Sequence, residues 1–261
     1  MLLKDFANHN FNKMLAELSD GILMPEPWGK DHRILSKYIN VNFEIAQAQD
    51  KVYEDKANGI AFWKVGYLVN QAANPLWFLY EKNNRSDRQY WNFKDYCYGN
   101  IPISLAGKTV DDFQVTYEEP KFRSAWQFDL TPDAVEHIME TNNERLVRVF
   151  GEKLAQNQHM LLRTILGELE LQKKKSDVMP QWYHGGYQYL MPLYLTSPNT
   201  VDLTATLEPQ ENSNSYKVRT LLYPEYSYPC IRAVVKNRSA LTGWMNISEE
   251  TLNDTDLTNT D

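Results

Sequence analysis

Cysteine is almost absent from this chain. Two thiols, Cys97 and Cys230, in 261 residues exclude a disulfide framework and a CxxC metal pair. Long apolar runs are also missing, and none approaches the roughly 20 residues needed to span a bilayer. The opening MLLKDFANHNFNKML lacks the apolar core and the small-residue cleavage site of a secretory signal. The expectation is a cytoplasmic protein with no membrane partner. The Asn-x-Ser/Thr matches at Asn84, Asn237, Asn246 and Asn253 then carry no meaning as glycosylation sites. There is no Gly-rich phosphate loop, no HExxH zinc pattern and no nucleophile elbow. No motif names a reaction or a cofactor.

Aromatic residues are abundant, at 13%, with 16 Tyr and 7 Trp. A hydrophobic fraction of 43% supplies a sizeable core at this length, and most of the rings are expected there. Charge is unevenly placed. The net charge is −7, and the last sixteen residues (NISEETLNDTDLTNTD) hold −5 of it, leaving −2 for residues 1–245. Residues 215–245 carry a local excess of +4, from Lys217, Arg219, Arg232, Lys236 and Arg238 against Glu225. Two segments follow: one α+β domain over 1–245 and an acidic, flexible tail over 246–261. The tail either screens the basic stretch or is simply solvated.

The apolar spacing sets the elements. Residues 11–20 form a short amphipathic helix stopped by Gly21. A second runs from a cap at Asp31 to about Gln49, with Ile34, Leu35, Tyr38 and Ile39 inward. Val52-Tyr53 and residues 60–69 are extended, and Asn74-Pro75 turns the chain into another strand at 76–80. Residues 83–120 show little period. Thr131-Pro132-Asp133 starts a helical region that reaches about Lys175 with one break. Strands follow at 187–196, 200–208 and 215–223. The middle one alternates Val201, Leu203, Ala205 and Leu207 with polar residues, as in an antiparallel sheet with one wet face. The fold class is α+β, an antiparallel sheet backed by helices.

The most informative stretch is VMPQWYHGGYQYLMPLYL, residues 178–195. A lysine run, Lys173, Lys174 and Lys175, leads into Gln181, Trp182, Tyr183 and His184 at the mouth of a buried strand. Lysines neutralise phosphates, and Trp and Tyr offer flat faces to unpaired bases. Tyr228 and Arg232 lie in a second basic-aromatic stretch, where Arg can stack as well as pair. Favourable charge at a helix C-terminus explains the lysine run equally well. His137 and Glu140 sit three apart on a helix, followed by Asn142, Glu144 and Arg145, but further metal ligands are lacking.

In order along the chain stand Pro25-Glu26-Pro27-Trp28, Ile34-Leu35 to Phe43, Ala61-Phe62 with Gly66 and Leu68, and His137-Ile138 with Asn142 and Arg145. Pro180-Gln181-Trp182-Tyr183, Leu190-Met191-Pro192-Leu193, Tyr228 with Arg232, and Trp244 complete the series. Over residues 14–245 this order resembles a bacterial domain family of unknown function. Its members often occur beside cold-shock or OST-HTH-type RNA-binding modules. The resemblance implies a context of RNA handling. Two departures stand out: Trp63-Lys64 replaces a polar Asn-Thr pair, and Lys174-Lys175-Ser176 replaces an Asn-Tyr-Lys stretch. If those positions form an active site in the family, it is altered here.

Three expectations result. The first is an RNA-associated module that binds single-stranded or structured RNA through Lys173, Lys174, Lys175, Gln181, Trp182, Tyr183, Tyr228 and Arg232. The second is an enzyme acting on RNA ends or nucleotides, with His137, Asn142, Arg145 and Gln181 converging: Arg to hold phosphate, His to move a proton. The third is an accessory protein docking a protein partner through the aromatic patch at 90–98.

Overall fold

A computed structural model of the chain describes residues 2–8, 11–22, 27–85, 89–99, 108–117, 121–155, 157–183, 185–235, 241, 245, 247 and 249–254. It divides into two compact units, the first of residues 1–118 with 252–256, the second essentially of residues 119–251. Each is built on a five-stranded, mainly antiparallel sheet with helices.

The first unit opens with α1 (Leu3–Phe6), β1 (Ala7–Asn8) and α2 (Phe11–Gly21), then α3 (Arg33–Ala48). Asp31 does not cap α3. It sits in a 3-10 turn over Lys30–His32 at φ +53, and His32, at φ +57, is the N-cap. Strands β2 (Val52–Asp55), β3 (Ile60–Val69), β4 (Pro75–Lys82) and β5 (Trp91–Tyr98) complete a sheet of order β1-β5-β4-β3-β2. The strand β5 falls where no period was readable, and it contains the aromatic patch. Within the patch Trp91 is buried, at 1% exposed, Phe93, Tyr96 and Tyr98 are part-exposed, and Tyr90 is 40% exposed.

Alternation on β3 sends Ala61, Trp63 and Val65 to one face and Phe62 to the other. Trp63 meets Phe43 of α3 at 5.3 Å and Phe78 at 5.7 Å. Its indole N–H donates to Tyr80 Oη at 3.0 Å. Phe62 and Trp77 pack with Phe113 on the opposite face. Between Lys64 and Val69 the register shifts at Gly66, which has φ +51. A Cβ there would strike Asn42 Oδ1 and Tyr38 Oη. The bulge turns the Tyr67 N–H off the ladder and onto Tyr38 Oη, at 2.8 Å.

The second unit holds β6 (Gln127–Phe128), α4 (Pro132–Thr141), α5 (Asn143–Phe150), α6 (Glu152–Ala155) and α7 (Gln158–Lys175). Then come β7 (Met179–Tyr183), β8 (Gly186–Leu193), β9 (Leu203–Gln210), β10 (Ser215–Leu222) and α8 (Pro224–Arg232). The sheet order is β6-β10-β9-β8-β7. One face carries Tyr189, Met191, Leu193, Leu203, Ala205, Leu207 and Val218 against Ile138, Leu146, Leu161, Ile165 and Leu169 from α4, α5 and α7. The other face was expected to be wet. Instead Thr204 is 0% and Thr206 4% exposed, and the Thr204 and Ser227 hydroxyls share a hydrogen bond with α8 lying over them. Within the segment expected to be a flexible tail, Glu249–Asp254 forms a helix, α9, with Leu252 buried.

Candidate nucleic-acid interface

Helix α7 ends at Ser176, whose φ of +55 closes the helix with its N–H on the Gln172 and Lys173 carbonyls. The three lysines before it have different fates. Lys173 is 5% exposed. Its Nζ pairs with Glu170 at 2.8 Å and lies 5.0 Å from the centre of the Phe128 ring. Lys174 and Lys175 are exposed, and Lys175 Nζ stands 5.9 Å over Tyr194. Burial, then the charges of Asp177 and Glu168, hold the Tyr194 phenol above its ordinary pKa. The ring is therefore a neutral platform at physiological pH.

Strand β7 alternates its side chains. Gln181 is buried and donates from Nε2 to Gln188 Oε1 at 3.0 Å. Trp182 stands edge-on to Tyr187 at 5.1 Å. Among the described residues its buried indole N–H has no hydrogen-bond acceptor. Tyr183 is 40% exposed, and His184 lies outside the described residues. Tyr228 and Arg232 sit four apart on α8, which packs against β7. Both are buried, at 1% and 7%, and Arg232 Nη1 donates to the Val235 carbonyl at 3.2 Å. Elements bearing Gln181, Tyr228 and Arg232 thus meet on the covered side of β7. Lys174, Lys175 and Tyr183 are the exposed members of the set. Lys236 and Arg238 lie outside the described residues.

Of the residues read as catalytic, Asn142 and Arg145 are bonded to each other, while Gln181 stands apart from them. Asn142 is 0% exposed and both ends of its carboxamide are bonded. Nδ2 donates to the Ile138 carbonyl at 2.8 Å. Oδ1 accepts from Arg145 Nη1 at 2.8 Å, Thr220 Oγ1 at 3.0 Å and the Leu221 N–H at 2.9 Å. β6 pairs only with Ser215 and Tyr216, so beyond them Asn142 supplies the acceptor that a neighbouring strand would give Leu221. Gln181 lies three strands away across the sheet, about 14 Å at normal strand spacing. Of His137, the backbone in α4 is described and the side chain is not.

Register defines two ends of this sheet. Met179 pairs with Leu190, Leu193 with Leu203 and Leu222 with Thr204. The lysines before β7, the loop 194–202 and the start of α8 therefore share one end. Trp182 and Tyr183 are at the hairpin end, about 13 Å along the strand. At the lysine end lies an open cleft of about 500 Å³, lined in part by Arg148, Thr196, Thr200, Asp202, Tyr223 and Glu225. The Arg148 guanidinium lies 4.4 Å from the Tyr223 ring centre, and its Nη2 is 3.7 Å from Glu225 Oε1. Asp202 is bound to the Leu195 and Thr196 N–H groups at 2.7 and 2.8 Å and to Thr196 Oγ1 at 2.6 Å, fixing the loop.

Arg148, Tyr223 and Glu225 were not singled out from the sequence. Tyr223-Pro224-Glu225 carries a usable signal, a proline at the first turn of a helix directly after a strand. Arg148 carries none beyond its place on the polar side of α5. Among the described residues there is no cluster of three or more metal-ligating side chains, and no helix long and apolar enough to cross a membrane. The Trp63 departure is a core residue, 0% exposed, and Lys64 bonds to Gln114.

No curated protein and no solved structure matched the chain. Residues 20–240 match DUF3825, described as a domain of unknown function. That span takes in most of both units, and the chain belongs to the DUF3825 family.

Proposed function

We propose that this protein is an RNA-associated module that binds single-stranded RNA at the lysine end of its second sheet and along the outer edge of β7. One observation carries the reading. Exposed cations and aromatic rings share that end: Lys175 over Tyr194, and Arg148 stacked on Tyr223 at the rim of a 500 Å³ cleft. Guanidinium and lysine groups neutralise phosphates, while ring and guanidinium faces stack on bases without demanding a sequence. Tyr183 and Trp182 extend the path to the hairpin end, a distance of about two nucleotides. Lys173, Gln181, Tyr228 and Arg232 support this surface from beneath.

The resemblance to bacterial proteins carrying cold-shock or OST-HTH-type modules supports an RNA context. The free thiols of Cys97 and Cys230 suit a reducing cytoplasm. The test is fluorescence anisotropy of a labelled mixed-sequence single-stranded RNA at low and moderate salt. With three phosphate contacts, from Lys174, Lys175 and Arg148, log K should fall against log salt with a slope of roughly −2. The K174E/K175E variant should bind more weakly and with a shallower slope. No binding at low salt, or an unchanged affinity in that variant, would overturn the reading.

A further inference from the structure

The two carboxylates of the cleft differ in what they have left to offer. Asp202 is saturated by three donors between 2.6 and 2.8 Å. Among the described residues Glu225 has only Arg148, at 3.7 Å, which is beyond hydrogen-bond range. Its side chain is 16% exposed while that of Arg148 is 66% exposed. So a recessed carboxylate with open acceptor capacity stands beside a guanidinium whose inner face rests on Tyr223 and whose outer face is accessible. The cleft volume lies in the range of small-ligand sites.

A carboxylate accepts at two oxygens and donates nothing, so it favours a partner with two adjacent N–H groups. Among the RNA bases only guanine presents that pattern on its pairing edge, through N1–H and the 2-amino group. Adenine and cytosine place an acceptor beside their amine, and uracil flanks its N–H with two carbonyls. The base plane can meanwhile lie on the open face of Arg148. We propose that the cleft takes one unstacked guanine base, bound by Glu225 and stacked on the Arg148–Tyr223 pair. The inference deepens the RNA reading and rests on it for its physiological ligand. The same chemistry could be offered by a base within RNA or by a free guanine nucleotide.

The experiment uses the full chain. Anisotropy is measured with four short uridine-rich RNAs that differ at one central position: guanosine, inosine, adenosine or cytidine. In parallel, guanosine and adenosine 5′-monophosphates are compared by saturation-transfer NMR. The guanosine RNA should bind on the order of tenfold more tightly than the adenosine and cytidine RNAs. Inosine, which keeps N1–H and lacks the 2-amino group, should fall between. Glu225→Gln should abolish the discrimination while leaving the salt slope unchanged, and Arg148→Lys should weaken all four RNAs. Equal affinity for all four, or discrimination that survives Glu225→Gln, would overturn the base assignment and leave the RNA reading standing. If no RNA binds but guanosine monophosphate binds in a Glu225-dependent way, the cleft assignment holds for a free nucleotide and the RNA reading falls. If neither binds, both fall.

Discussion

The two sheets of this protein use their side chains in opposite ways. The first is filled with rings on both faces: Trp63, Trp77, Phe78, Tyr80 and Trp91 are all essentially inaccessible. They meet edge to face at 5–6 Å. The second is largely aliphatic where it meets α4, α5 and α7, with Tyr189 and Tyr216 among the aliphatic residues, and its opposite face is polar yet covered, with Thr204, Thr206, Gln181 and Gln188. Among the described residues the buried rings are therefore concentrated in the first unit. Rings with exposed or cation-covered faces occur in both units, Tyr90 with Lys56 and Lys82 over it in the first, and Tyr183, Tyr194 and Tyr223 in the second. What separates core aromatics from candidate binding aromatics is their position relative to strand ends, not their number.

That contrast can be broken first at Trp63. Trp63→Ala removes a fully buried ring and leaves the Tyr80 hydroxyl without its donor. It should cost about 3–5 kcal/mol of stability by urea unfolding. A loss below about 1 kcal/mol would mean the first sheet does not depend on its rings.

The second sheet should be most sensitive at a polar position. Asn142→Ala strands the Ile138 carbonyl and the Leu221 N–H, and should cost about 1–3 kcal/mol. Its effect on RNA affinity should be negligible, because Asn142 ties α4 to β10. A variant of full stability would remove that role.

At the hairpin end, Trp182→Ala should weaken single-strand binding by about 1–3 kcal/mol if RNA follows β7 to its far end. An unchanged affinity in anisotropy would confine the interface to the lysine end.

The smallest effect concerns Glu208. Its hydrogen bond to Arg219, more than the charge itself, lowers the carboxyl below its ordinary value of 4.5. A lowered folded-state pKa adds stability above the unfolded value, and that stability fades as pH falls through the folded one. The pair is partly solvent-exposed, so Glu208→Gln should cost no more than about 1 kcal/mol at neutral pH. The difference from wild type should shrink below about pH 4.5. A difference that persists at pH 3 in thermal unfolding would point to packing instead.

Period and turn chemistry made much of the fold legible. The 60–69 and 76–80 strands, the 33–48 helix and the three late strands all follow from alternation or 3.6-residue spacing. Other elements did not, among them β5, β7 and α8. β5 mixes inward rings with half-exposed ones (Tyr96, Tyr98), so it shows no clean alternation. β7 is five residues long and contains a proline. The helix α8 carries Pro229 inside it, which ordinarily argues against helix. For the site, Lys174, Lys175, Trp182 and Tyr183 were readable from residue type. That Lys173 and Arg232 are covered was not, since burial of a charge depends on partners remote in sequence. The cleft residues were invisible for the same reason. Arg148 and Tyr223 lie far apart in the chain, and only the return of β10 to the end of α5 joins them.

Photo-crosslinking of a 4-thiouridine-substituted single-stranded RNA to the full chain, with the crosslinked residues read by mass spectrometry, tests the central claim most directly. Binding at the lysine end predicts crosslinks at Tyr194 or Tyr223, joined by Trp182 or Tyr183 along β7. Crosslinks confined to the first unit, or none above a K174E/K175E/R148E control, would contradict it.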